Sequence, residues 1–117
     1  MLVVREEQMR VLAAAQRQRF EDRCVRLILD EWAETHAGYT ADEVRAEVRG
    51  LLEAGTVWGF HTERERYRLV NLGGLLCLGF QRVPARAWAV ALLADTFVPV
   101  DERIEAVLAY AETRRAR

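Results

Sequence analysis

Lysine is missing altogether. All 17 basic residues are arginine, against 18 acidic ones, giving a formal net charge of −1. A balance this close to neutral exerts no long-range pull on nucleic acid or an anionic membrane. Arginine in place of lysine is what a GC-rich genome would favour, and it also supplies planar forks suited to bidentate carboxylate pairing. Cysteine is scarce as well: Cys24 and Cys77 both lie in apolar stretches with no CxxC spacing, so neither a disulfide framework nor a zinc site is expected. No apolar run approaches the roughly 20 residues needed to span a bilayer; the longest, LVNLGGLLCLGF, covers only residues 69–80. The apolar start MLVV is interrupted at Arg5, too early for a signal-peptide core. The default expectation is therefore a cytoplasmic protein with no membrane span.

What is present suits one helical domain across residues 1–117. Hydrophobic content of 51% with 30% charged residues is ordinary for a folded chain and argues against disorder. Met9, Leu12, Phe20, Cys24, Leu27 and Ile28 form an apolar stripe at helical spacing over about residues 5–34. It lapses at Gln16, where a bend or break is expected. MLVV is continuous rather than periodic, so it reads either as an extended lead-in lying across the bundle or as an exposed patch awaiting a partner.

Two capping boxes mark helix starts: Thr40 with Glu43 in YTADEV, and Thr62 with Glu65 in HTERE. The first helix so marked carries Val44, Val48, Leu51 and Leu52 and is expected to stop at Gly55. The second begins solvated, ERERYR, and becomes apolar nearly all round, which predicts a central helix near residues 63–80. Gly73 and Gly74 would weaken an exposed helix, so close helix–helix approach is their expected reason. Pro84 opens a fourth helix, and Pro99 with Asp101 and Glu102 a fifth, striped by Ile104, Val107, Leu108 and Ala111. No strand pattern of useful length occurs. The prediction is all-α, a single compact bundle of about five helices.

Catalysis has little to draw on. His36 falls in a turn and His61 just before a helix, neither at a spacing that implies a triad. Acidic pairs such as Asp42–Glu43 are adjacent and diverge on a helix, and no Gly-rich phosphate loop occurs. No enzyme and no cofactor are expected. A helix-turn-helix built on residues 41–54 and the ERERYR helix start is an alternative, weakened by alternating Arg and Glu and a long connection. Protein binding is the reading that remains, since Trp, Tyr and Arg dominate interface hot spots. The candidate partner-binding residues are Leu2, Val3, Val4 and Arg5 at the start, and Trp58, Phe60, His61 and Arg64 around the loop VWGFH. Met9 and Phe20 are assigned to the core. Spare apolar surface leaves a homodimer open.

A resemblance sharpens this. Met1, Leu2, Val3, Val4, Arg5, Glu7, Gln8 and Met9, then Arg19, Phe20, Glu21 and Arg23, and a middle block from Val57 to Arg64, resemble a pattern of small helical proteobacterial proteins. Those proteins are encoded beside type VI secretion and polymorphic-toxin genes. The likeness covers most of the first eighty residues, and departs where GFQRVPARAW stands in place of an acidic turn. It implies no catalytic residues. It does imply an adaptor or chaperone for a toxin effector or secretion-spike component, or alternatively an immunity protein.

Overall fold

Local chemistry sets the helix starts. The computed structural model describes residues 2–115, with side chains from 5 to 114. It contains five α-helices: α1 Leu2–Glu31, α2 Ala41–Val57, α3 Glu63–Leu76, α4 Ala87–Leu93 and α5 Val100–Arg115. Short 3-10 turns at Phe80–Arg82 and Pro84–Arg86 lead into α4, and no strand occurs among the described residues. Both capping boxes are formed. Thr40 Oγ1 accepts from the Glu43 backbone N–H while Glu43 accepts from Thr40, and Thr62 and Glu65 repeat the exchange. Each reciprocal pair satisfies two N–H groups that a helix start otherwise leaves without partners.

Helices α1, α2 and α3 pack on one another, α3 also packs on α5, and α5 packs on α4. The expectation of a central helix therefore holds for α3, but the helix is shorter than expected. It ends at Leu76, because Cys77 adopts φ +77° and turns the chain away. The glycines behave as anticipated. A Cβ on Gly73 would come within 2.7 Å of Leu51 Cδ2, and one on Gly74 would overlap the Trp32 ring.

One continuous core runs from Phe20 to Ala111. Ile28, Val44, Val48, Leu51, Phe60, Leu69, Val70, Phe80, Leu93 and Val107 are fully buried within it. Burial of this kind, about 1.5–3 kcal/mol for each large side chain, is the main favourable term holding the helices together. Arginine forks stitch the outside. Arg45 and Arg49 of α2 hold Glu21 of α1 at 2.6 and 2.8 Å. Arg68 of α3 spans Asp101 and Glu105 of α5 at 2.7 and 2.9 Å. Much of the fork-like pairing capacity anticipated for arginine is thus exercised inside the molecule.

The N-terminal expectations need correction. α1 is one unbroken helix through Gln16, and it begins at Leu2. Leu2, Val3 and Val4 therefore belong to its first turns and are not an extended lead-in. Met1 and the packing of those three side chains lie outside the described residues. The physical reason is propagation. Once Ala, Arg, Glu and Gln have built a helix, each further residue adds a hydrogen bond without a new nucleation cost.

Candidate protein-interaction surface

The turn after α2 decides the fate of the VWGFH loop. Gly59 takes φ +90°, the Phe60 N–H donates to the Gly55 carbonyl at 2.8 Å, and the Gly59 N–H donates to Thr56. This is the Schellman arrangement that closes helices on a glycine in the left-handed region. Gly59, not Gly55, is the stop. Gly55 lies inside the helix, buried against Leu69, where no side chain would fit.

The same reversal folds both loop aromatics inward. Trp58 and Phe60 are core residues, edge-to-face at 6.4 Å between ring centroids. The expectation that they form exposed anchors is corrected: of the four candidates around the loop, only His61 and Arg64 face solvent, while Val57 before them is exposed as well. The His61 backbone N–H donates to Glu65, and Arg64 is engaged with Asp101 at 3.0 and 3.1 Å. Arg103 sits beneath the turn, its Nη1 donating to the Trp58 carbonyl at 2.6 Å and the Leu93 carbonyl at 3.0 Å, and its Nε to Val98.

His36 is equally committed. The Leu78 backbone N–H donates to its Nε2 at 3.0 Å, so the proton of the neutral ring sits on Nδ1, 3.1 Å from the Trp32 carbonyl. The imidazole ties the α1–α2 turn to the chain after α3 and has no free nitrogen for chemistry. Cys24 is buried, which pushes its thiol up to about 12. Among the described residues no group of three or more His, Cys, Asp or Glu converges as a metal site. No described helix is long and apolar enough to cross a membrane.

Among the described side chains of α1, Phe20 is the first buried one; from Arg5 to Arg19 every side chain is exposed save the half-buried Ala13. Met9, Val11 and Leu12 are 63%, 68% and 60% exposed, which corrects the assignment of Met9 and Leu12 to a core stripe. At 1.5 Å per residue, Leu2 to Arg19 is an arm of roughly 25 Å, consistent with a longest dimension of 63 Å against 36 and 20 Å for the others. Glu7, Gln8, Val11 and Leu12 share one open face of it. Arg5 is exposed near its tip.

Of the sequence-derived candidates, the structure places Leu2–Arg5 on this arm and His61 with Arg64 at the start of α3. Sequence reasoning missed Val11, and it missed Phe97, which is 97% exposed between α4 and α5. The signal for Val11 was present as the doublet Val11–Leu12, which occupies more of the helix circumference than a core-facing stripe requires. Compared with family models, curated proteins and solved structures, the chain matches none.

Proposed function

We propose that this chain is a non-enzymatic protein-binding accessory whose recognition element is the projecting half of α1. One observation carries the reading: a helical segment of some fifteen residues stands clear of the core with Met9, Val11 and Leu12 open to solvent. Met9 and Leu12, three residues apart on a projecting helix with Val11 on the far flank of Leu12, suit the helix-in-groove mode of recognition, in which anchors at helical spacing enter a partner's apolar cleft. The sequence resemblance supplies the context, a toxin effector or secretion-spike component, with the chain as adaptor or chaperone. An immunity role is the alternative. DNA binding is disfavoured by α3 itself, whose Arg64 and Arg68 are paired with carboxylates of α5.

Co-expression with the neighbouring toxin gene tests the proposal. The native chain is expected to co-purify with its partner, and the variant M9D/V11D/L12D to lose it by more than a hundredfold, since each anchor contributes about 1.5–3 kcal/mol when covered. These side chains touch no core, so circular dichroism of the variant should be unchanged. Undiminished capture by the variant rejects the arm, and absence of capture by the native chain rejects the function. Improved effector solubility marks an adaptor, whereas rescue of growth marks an immunity protein. Sedimentation of the chain alone reports whether a second copy takes the same face.

A further inference from the structure

At the opposite end of α1 from the arm, a groove of about 390 Å³ opens between the α1–α2 turn, the end of α3 and the end of α5. Its floor is apolar, made by Leu75, Leu76 and Ala111, and the indoles of Trp32 and Trp88 wall it. Thr35 and two cations, Arg86 and Arg114, complete the lining, and no carboxylate among the described residues does. Elsewhere Arg23, Arg45, Arg49, Arg64, Arg68 and Arg82 each form an ion pair within the chain. Among the described residues neither Arg86 nor Arg114 does. Arg114 instead lies over the rings of Trp88 and Tyr110, at 5.8 and 5.6 Å from their centroids. Trp88 also holds its indole Nε1 buried with no acceptor.

From this arrangement we infer that the groove binds a small carboxylic acid carried on an apolar or aromatic body. Its size falls within the range of small-ligand sites, in which mostly apolar walls carry a few placed polar groups. Two guanidinium forks with no ion pair among the described residues supply charge-assisted hydrogen bonds to a carboxylate. The indoles and leucines cover the apolar body, and an aromatic body stacks beside Trp88 in the manner of the Arg114 fork above it. Trp32 is held in place to do this: its Nε1 donates to Asn71 Oδ1 at 2.9 Å, and the bare backbone of Gly74 lets its ring lie flat against α3. The site is independent of the arm and of its partner.

Titration of the full chain with 4-phenylbutanoate and with its amide, followed by tryptophan fluorescence and calorimetry, tests the inference. The acid is expected to bind saturably and at least tenfold more tightly than the amide, and to weaken as salt is raised. R86Q and R114Q should each reduce affinity about tenfold, the loss expected for one charge-assisted contact. Unchanged circular dichroism of both variants confirms that the loss is local. M9D/V11D/L12D should bind the acid as the native chain does. Equal binding of acid and amide, no saturation by about 10 mM, or insensitivity to both arginine variants would overturn it. An acetylated peptide ending in Leu-Phe with a free carboxylate serves as a rival ligand. Binding of that peptide tenfold tighter than the small acid also overturns the assignment, by making the groove a reader of chain termini.

Discussion

Arg103 Nη1 donates to the carbonyl oxygen of Trp58 across 2.6 Å, forty-five positions apart in sequence and fully inside the protein. Trp58 caps α2, and the second acceptor of the same nitrogen, Leu93, is the last residue of α4. One guanidinium therefore serves the C-terminal ends of two helices, where carbonyls lack intrahelical partners and carry partial negative charge. No carboxylate is needed to hold this buried cation, and the Phe60 ring lies 5.7 Å from it.

Removing that side chain should be costly. Arg103→Ala leaves three carbonyl oxygens short of a donor, and each buried unsatisfied group costs about 1–3 kcal/mol. A loss of about 3 kcal/mol is expected, lowering Tm by roughly 10 °C or more. Arg103→Lys keeps the charge with a poorer geometry and should fall between. Thermal unfolding by circular dichroism measures both; a native-like Tm for the alanine variant would mean that the carbonyls find other donors at little cost.

Gly74→Ala offers a test of opposite sign to the usual one. In an exposed helix this exchange stabilises by up to about 1 kcal/mol. Here the new methyl group meets the Trp32 ring, so destabilisation of about 1–3 kcal/mol is expected from overpacking. Combining it with Trp32→Ala should recover part of the loss, giving a favourable coupling in a double-mutant cycle. Additivity of the two changes would show that the ring simply moves aside.

Acid should weaken the α1–α2 junction. The Arg49 guanidinium foremost, with Arg45 beside it, holds the Glu21 carboxyl below its usual value against the opposing pull of burial. Glu65 is lowered too, by the backbone N–H groups of Thr62 and His61. A carboxyl whose pKa is depressed on folding adds stability that is complete above its unfolded value, about 4.3, and is lost as pH falls through the folded one. Through these groups Tm should therefore be independent of pH near neutrality and decline below roughly pH 4.5. Glu21→Gln should lower Tm at pH 7 and flatten the acid slope. An identical slope in that variant would place the acid sensitivity elsewhere.

The two thiols should react very differently. Burial pushes Cys24 up to about 12, so at pH 8 only about one molecule in ten thousand carries the thiolate, the species that attacks a disulfide reagent. Cys77 is exposed. Titration of the native chain with a chromogenic disulfide should release one equivalent promptly and the second only on denaturation. Prompt reaction of both would indicate that the α1 segment around Cys24 opens easily.

The sequence by itself determined the helical character and the starts of α2, α3 and α5. Thr40–Glu43 and Thr62–Glu65 act within four residues of themselves, so their consequences are legible without knowing the rest of the chain. The stripe of Ile104, Val107, Leu108 and Ala111 and the paired glycines of α3 were similarly readable, because periodicity and the absence of a Cβ act locally. Tertiary structure alone decided which apolar residues face protein and which face water. Trp58 and Phe60 turn inward because Gly59 reverses the chain above Arg103, a residue brought there from α5. Met9 and Leu12 continue the period of Phe20 and Cys24, yet stand in solvent because α2 and α3 pack against α1 only further along it. Helical spacing specifies that a face exists. What covers that face depends on where the other helices end, and no local pattern in α1 encodes it.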